Sequence, residues 1–196
     1  GLMRNQDILI ALEEEVGVIS CSVGFDKKGV ARASFTLPKL PEPAGHAGQS
    51  LFIAQALGLD ESDIGFGNHV PTIYSAGNPF CFVPIATRAA IKRAMPDASA
   101  WNAAFGHMQR GACYLYTRES LSPEHHFHAR MFAPGLGIAE DPATGSAVAA
   151  FAGVLMAIGR GERDPEWAHE LLLARDRKVG GVTAPPDGLY LTAVRY

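Results

Sequence analysis

Alternating apolar and polar positions mark the first part of the chain. Residues 17–25 (GVISCSVGF) and 29–37 (GVARASFTL) alternate in this way on either side of DKK. This pattern predicts a β-hairpin, with Gly29 easing the turn. The Pro-rich segment PKLPEPAG predicts an extended surface crossing. Residues 48–58 (GQSLFIAQALG) carry apolar residues at helical spacing instead, and Gly58 is a typical helix end.

Short elements continue to alternate further along the chain. The segments VPTIYSA, FCFVPIA, ACYLYT and HFHARMFAP each predict a strand, and the first two are separated by the turn Gly77-Asn78-Pro79. Residues 87–94 and 98–106 predict two short helices divided by Pro96. No regular strand–helix–strand repeat is present, so the pattern predicts a mixed α+β fold.

The segment FAPGLGIAEDPATGSAVAAF changes character at Ser146, where a loop of Gly, Pro and acidic residues gives way to small apolar residues suited to a buried helix. Its spacing excludes three common motifs. No lysine lies between residues 130 and 160, as a Walker A loop requires. Glu140 stands where a dinucleotide fingerprint needs a third glycine, and Ser146 lacks the flanking glycines of a nucleophile elbow.

A helix start offers a physical interpretation of this segment. Ser146 or Thr144 can cap the helix, and Gly145 permits a tight turn. The first amides, around Gly145 to Ala147, then form a receptor for a carboxylate, while Asp141 is suited to orient or exchange protons on the bound substrate. A simpler interpretation stays open, in which Ser146 is only an N-cap and Asp141 only an Asx-turn residue.

Composition narrows the class of protein. Of 196 residues, 47% are hydrophobic and 19% charged, as in a soluble globular domain or a fragment of a larger enzyme. The net charge of −3 gives no electrostatic reason to expect nucleic acid or membrane partners. No apolar run approaches the ~20 residues of a membrane span. Cys21, Cys81 and Cys113 are expected to be buried thiols in a reducing compartment, which favours a cytoplasmic protein.

The run RMFAPGLGIAEDPATGSA resembles the signature of the phenazine-biosynthesis F-type (PhzF-like) isomerase family. Weaker similarities lie in ASFTLPKLPEP and SAGNPFCFVPI, so that the resemblance covers about residues 10–153. It implies the diaminopimelate-epimerase-like fold, in which two lobes each wrap strands around a central helix and enclose the active site between them. This chain would contain only the second lobe, because it begins after the family's catalytic glutamate and its Gly-His-Ala/Pro-Thr motif.

The same resemblance implies a chemistry. Family members shift protons on small acids without metal or organic cofactor. Asp141 would join the proton relay and Ser146 would act beside it, while Thr144, Gly145 and the amides up to Ala147 would hold the substrate carboxylate. Members of the family form dimers, and a single lobe would leave the apolar side of its cleft exposed. Both points favour a homo-oligomer, with a dimer expected. The chain alone is expected to be inactive without the first lobe.

The tail has a different resemblance. Residues 154–196 (VLMAIGRGERDPEWAHELLLARDRKVGGVTAPPDGLYLTAVRY) are similar to the C-terminal segment of tRNA pseudouridine synthase A. Two helices and a closing strand are expected there. Its basic residues are balanced by acidic ones, so the tail has no strong RNA-binding character. The alternatives to an isomerase are therefore a fragment of an RNA-modifying enzyme and a non-catalytic binding domain.

Other candidate residues have weaker support. His126 and His128 are expected on one face of a strand, yet no third zinc ligand is evident. His69 and His107 are expected in loop or surface positions. The acidic run Glu13-Glu14-Glu15 is expected on a solvated helix or turn. Trp101 is expected in helix packing, and Tyr116 in core or edge packing.

Overall fold

The computed structural model describes residues 7–14, 17–25, 29–37, 39–123, 125–159 and 194–195. Within these residues the strands form two sheets. Sheet A has four strands in the spatial order β1 (Ile8–Glu14), β2 (Gly17–Phe25), β3 (Ala31–Thr36) and β10 (Val194–Arg195). The predicted hairpin is confirmed, since β2 pairs antiparallel with β3 and Gly29 adopts a positive φ of 78° between them.

Strand β1 was not predicted. It pairs antiparallel with β2 from Ile8 to Glu14, so Glu13 and Glu14 end a strand and the expectation of a helix or turn at these two residues is wrong. Glu15 lies outside the described residues. The strand forms because Ile8, Ile10 and Leu12 continue the alternation of the hairpin on the same face.

Sheet A is amphipathic across three strands. Residues directly opposite each other on paired strands share a face, and one face of this sheet is apolar at every matched position except Glu14, which lies opposite Gly17 at its end. That face comprises Ile8, Ile10, Leu12, Ile19, Cys21, Val23, Phe25, Ala31, Ala33 and Phe35. This face is partly exposed, since Leu12 is 45% exposed and Phe35 is 38% exposed, whereas Cys21 and Val23 between them are half-buried.

Sheet B has six strands in sequence order: β4 (Glu42–Pro43), β5 (Thr72–Ser75), β6 (Pro79–Pro84), β7 (Cys113–Thr117), β8 (His128–Ala133) and β9 (Ile138–Asp141). Neighbouring strands are antiparallel except β6 and β7, which run parallel. This parallel pair is joined by two helices, α2 (Arg88–Arg93) and α3 (Ala98–Phe105), in one crossover connection. The mixed α+β prediction is confirmed.

The helices begin and end where their flanking residues dictate. Helix α1 (Ser50–Leu57) ends at Gly58, which adopts the left-handed conformation with φ 62° and donates its amide to Gln55. The Thr87 side chain accepts from the Ala90 amide at the start of α2, and the Asp97 side chain accepts from Ser99 at the start of α3. The predicted helices are thus confirmed to within a residue or two.

Sheet B separates two hydrophobic clusters. On β6, Cys81 and Val83 face α1, α2 and α3, whereas Phe80 and Phe82 face the long helix α4 (Gly145–Gly159). Residues alternate between the faces because strand side chains have a period of two. Trp101 packs in the first cluster and Tyr116 in the second, as predicted.

Two segments depart from the sequence interpretation. Strand β8 begins at His128, so His126 lies before the strand and does not share a strand face with His128. The loop before α4 contains β9, which was not predicted because Gly and Pro precede it and it has only four residues. The first predicted tail helix, which ends in a Gly-Arg-Gly turn, is confirmed over residues 154–159 as the last part of helix α4 (Gly145–Gly159). The second lies within residues 160–193, outside the described residues. The closing strand is confirmed at Val194–Arg195, parallel to β3.

All three cysteines are free thiols. Cys81 and Cys113 are fully buried and lie directly opposite each other on β6 and β7, whereas Cys21 is only partly buried. Burial raises the pKa of Cys81 to about 12. Burial, and then the neighbouring Cys81, raise the pKa of Cys113. The expectation of buried thiols holds for two of the three cysteines.

Helix α4 packs tightly against sheet B at Gly153. A Cβ atom at this position would lie 2.6 Å from Cβ of Pro41 and 2.8 Å from Cδ1 of Tyr74. Gly159, at the end of the same helix, would meet nothing within 4 Å. The absence of a side chain at Gly153 therefore sets the spacing between α4 and sheet B.

The change Gly153→Ala should lower the free energy of unfolding by about 1–3 kcal/mol, because the added methyl group meets atoms that cannot move freely. Gly159→Ala should leave it unchanged or raise it by less than about 1 kcal/mol through helix propensity. Urea unfolding of both variants measures the difference. Equal stability of the two variants would contradict the close packing of α4.

Candidate functional site

The start of α4 is the candidate site. The helix begins at Gly145, which places Thr144 at the N-cap position and Ser146 inside the first turn. The Val148 amide donates to the Thr144 carbonyl at 3.2 Å, the first such bond of the helix. The amides of Gly145, Ser146 and Ala147 precede that bond and so have no carbonyl partner within the helix.

Exposure differs along this first turn. Ser146 is exposed, Thr144 and Gly145 are partly buried, and the methyl group of Ala147 is fully buried against sheet B. The side chain of Ala147 therefore anchors the turn in the core. What the turn presents outward is backbone and the Ser146 hydroxyl, at the end of α4 where the helix dipole is positive.

Asp141 ends β9 immediately before this turn. Its Oδ1 accepts the Ala143 amide at 3.2 Å and its Oδ2 accepts the Thr144 hydroxyl at 2.8 Å. The first contact is the Asx-turn that the simpler interpretation expected. The structure thus brings Asp141 and Thr144 into direct contact and holds the carboxylate in one orientation, next to the first residues of α4.

Arg130 forms the most extensive polar contact near the site. Its Nε and Nη2 donate to the two carboxylate oxygens of Glu140, each at 2.8 Å. Its Nη1 donates to the carbonyls of Ile91 and Ala94, both at 2.8 Å, where α2 ends. The hydrogen bond from Arg130 is the main cause that lowers the pKa of Glu140. Sequence reasoning missed this contact, because the helix carbonyls lie more than 30 residues away.

His69 lies in a loop, which is one of its two expected positions. It is not at the surface, however, because its side chain is buried with 2% exposed. Nδ1 lies 3.0 Å from the Tyr116 hydroxyl and Nε2 lies 3.1 Å from Nη2 of Arg118. An arginine can only donate, so Nε2 accepts and Nδ1 carries the proton donated to Tyr116. Burial, and then Arg118, lower the pKa of His69, which agrees with a neutral ring.

Aromatic rings enclose this histidine. The ring of Phe66 lies 4.3 Å from that of His69, and Phe127 lies 6.5 Å away. Phe127 in turn packs at 5.4 Å against Phe151 of α4. The His69–Tyr116 pair therefore belongs to the core between sheet B and α4. His107, by contrast, fits its expected position, since it is exposed and its Nε2 lies 3.1 Å from the His46 carbonyl.

In the part of the chain that the structure describes, the His, Cys, Asp and Glu side chains do not come together in any group of three that could hold a metal ion. Across the same residues, none of the helices combines the length and the apolar character needed to cross a membrane.

Comparisons with known proteins identify the family. A model described as phenazine biosynthesis-like protein (PhzC-PhzF) matches residues 2–171. The chain therefore belongs to the phenazine biosynthesis-like family, and the resemblance seen in the sequence is confirmed. An uncharacterized isomerase of Mesorhizobium japonicum is 42% identical over 151 residues, which cover 76% of this chain and 50% of that protein. The chain thus spans half the length of this relative.

Solved structures share the fold. The Bacillus anthracis phenazine biosynthesis protein of the PhzF family superposes with a TM-score of 0.63 at 21% identity, over 74% of this chain and 48% of that one. A predicted epimerase of Pseudomonas aeruginosa gives a TM-score of 0.61 at 22% identity, over 81% of this chain and 52% of that one. At these identities the likeness concerns the fold alone.

The second resemblance is confirmed over a short segment. The tRNA pseudouridine synthase A of Methylococcus capsulatus is 71% identical over 45 residues, which are 23% of this chain and 17% of the synthase. Because so small a part of that enzyme is matched, the similarity does not extend to the synthase as a whole.

The buried histidine predicts a pH dependence of stability. The unfolded chain binds a proton at His69 with a pKa near 6.5, whereas the folded protein binds it only at lower pH. Stability should therefore fall as the pH drops below about 6.5, with a limiting slope of about 1.4 kcal/mol per pH unit for one such group. His128, whose pKa is lowered mainly by burial, adds to the same trend.

Urea unfolding at pH 7.5 and pH 5 measures this dependence. His69→Gln should reduce the loss of stability between the two pH values, even if it lowers stability at both. His126→Gln, at an exposed position before β8, is the matched control and should leave the loss as it is in the wild type. An unchanged pH dependence in His69→Gln would show that His69 does not titrate as its surroundings require.

Proposed function

We propose that this chain supplies half of the active site of a cofactor-independent isomerase that moves a proton on a small carboxylic acid. The observation that carries the proposal is Asp141, held by Ala143 and Thr144 directly before the open amides of α4. Membership of the phenazine biosynthesis-like family, with an isomerase among the relatives, supports the reaction class.

The proposed roles follow from charge. The amides around Gly145 to Ala147, at the positive end of α4, bind the substrate carboxylate, and the Ser146 hydroxyl is a further donor. Thr144 belongs to the binding turn through its backbone, because its hydroxyl already donates to Asp141. Asp141 and Ser146 are the proposed catalytic residues. Two bare carboxylates in contact repel, so Asp141 either points away from the bound acid or shares a proton with it. General acid–base catalysis requires a group that can exchange a proton with the substrate, and Asp141 is proposed to be that group.

We further propose that residues 1–153 correspond to the second lobe of a diaminopimelate-epimerase-like fold and that residues 154–196 are a tail of different resemblance. In this proposal the first lobe, with its catalytic glutamate, is not contained in these 196 residues. The half-length match to the Mesorhizobium isomerase supports it. A cleft with one wall leaves Asp141 without the second acid or base, so the chain alone should be a binding domain without turnover.

Solvent-deuterium incorporation tests this proposal directly. The purified chain should not exchange the α-hydrogen of L-glutamate or the allylic hydrogens of but-3-enoate in D2O, as followed by proton NMR, because a single carboxylate cannot complete the relay. Asp141→Asn is the control. Exchange above background that disappears in Asp141→Asn would show that this half-site is active by itself.

Anion binding tests the α4 start separately. Sulfate or acetate should bind against the amides of residues 145–147, seen as amide shifts in an NMR titration or as density in a soaked crystal. Gly145→Val should abolish binding by blocking the approach, whereas Ser146→Gly should weaken it only a few-fold, as expected for one lost hydroxyl donor. Water alone at this helix start, together with unchanged affinity in Gly145→Val, would contradict the site.

We also propose that the protein forms a homodimer. The apolar face of sheet A supports this, because Ile8 and Ile10, each 42% exposed, form part of a continuous open patch. Light scattering should give about twice the mass of the 20.9 kDa chain. Ile10→Lys should shift the protein towards monomer, since it places a charge in the patch. A wild-type monomer at high concentration would refute the proposal.

A further inference from the structure

We propose that Arg130 is a positioning residue for Asp141. Through its ion pair with Glu140, Arg130 holds the end of β9 so that the neighbouring Asp141 faces the start of α4. This inference rests on the proposed function, because the direction of Asp141 matters for chemistry only if its carboxylate handles a proton.

Strand β9 is held only weakly by its own backbone. It has four residues and lies at the edge of sheet B among the strands that the structure describes, paired with β8 alone. The register is irregular, since Asp141 opposes Met131 and Ile138 opposes Ala133, so that β9 has one residue more than β8 between the matched pairs. Short, bulged edge strands open easily. A contact other than the backbone hydrogen bonds to β8 must therefore fix the end of β9.

The Arg130 guanidinium is fixed independently of β9. Its Nη1 donates to the carbonyls of Ile91 and Ala94 at the end of α2, and the guanidinium lies 4.6 Å from the ring centre of Phe132. Only 19% of the Arg130 side chain is exposed. A planar group held on one edge and one face presents its remaining N–H groups in a fixed direction.

Those remaining groups meet Glu140. The two parallel bonds, Nε to Oε1 and Nη2 to Oε2, define both the distance and the plane of the carboxylate. Successive residues of a strand point to opposite faces, so Glu140 points towards Arg130 while Asp141, opposite Met131, points towards α4. Because the two residues are adjacent, fixing Glu140 also fixes the direction of Asp141.

Another arginine–carboxylate ion pair, formed by a residue of α2, provides a control. Arg93, at the end of the same helix, pairs with Asp63 in the 3₁₀ turn Glu61–Asp63 and does not reach β9. The Arg93 side chain is 48% exposed, compared with 19% for Arg130. Asp63→Asn therefore removes an arginine–carboxylate pair from α2 without touching the proposed link to Asp141.

The test compares Arg130→Lys, Glu140→Gln and Asp63→Asn in the full chain by NMR. Lysine keeps the charge but cannot form the bidentate pair and bind the α2 carbonyls at once. Glutamine removes the charge of Glu140 and leaves the contacts of Arg130 with α2. The Ala143 amide is the reporter, because it donates to Oδ1 of Asp141.

Arg130→Lys and Glu140→Gln should each speed hydrogen exchange of the Ala143 amide about tenfold or more, while the amides of β6 and β7 stay within about twofold of wild type. In both variants the Ala143 amide proton shift should move towards its random-coil position, because the carboxylate no longer faces that amide. Asp63→Asn should alter neither quantity.

Equal acceleration at β6 and β7 would show that Arg130 only stabilises the fold, and an unchanged Ala143 amide would show that Asp141 is positioned without it. Either result overturns the inference. Neither readout uses a bound anion or turnover, so a failure of the anion site or of the exchange assay is a separate outcome that concerns the proposed function.

Discussion

Helix α4 packs on sheet B through a stripe of side chains that are almost all small. Ala147 and Ala150 are fully buried, and Gly153 has no room for a methyl group. The largest residue in the stripe, Phe151, places its ring 4.6 Å from that of Tyr116 and 5.6 Å from that of Phe82. Interiors of this density do not deform gradually. Packing in the core therefore fixes the position of the first turn of α4, and the candidate site at this turn is rigid for the same reason.

The two faces of sheet B contribute differently to the site. The face covered by α1, α2 and α3 carries Arg130, whose contacts join a helix end to the edge strand β9. The face covered by α4 carries Asp141 and the open amides of the helix. The sheet itself is the link, since adjacent residues of one strand reach both sides. The contacts of Arg130 on the face covered by α1, α2 and α3 thus support the position of Asp141 on the face covered by α4.

Local pattern was sufficient to predict the elements whose stabilising residues are neighbours in sequence. The β2–β3 hairpin alternates cleanly, and Gly58 ends α1 through a conformation that glycine adopts without strain. Strand β1 was not predicted, because the three consecutive glutamates at its end interrupt the alternation of apolar and polar residues. Strand β9 escaped because it depends on pairing with β8 rather than on residues of high strand propensity.

In the candidate site, too, the contacts between residues close in sequence could be predicted and the long-range contacts could not. Asp141, Thr144 and Gly145 are close in sequence, and the turn they form follows from their side chains. The burial of His69 does not, since its partner Tyr116 is 47 residues away and only the fold brings them together. The same holds for Arg130 and the end of α2. A long-range contact leaves no periodic signal in the residues that make it.

The two thiols in the middle of sheet B have a kinetic consequence. Cys81 and Cys113 are closed to solvent and protonated at neutral pH, so they cannot react with an alkylating reagent while β6 and β7 remain paired. Cys21, partly open on sheet A, has no such protection from the core of sheet B. Alkylation of Cys21 therefore measures the accessibility of sheet A. Alkylation of Cys81 and Cys113 measures the opening of sheet B.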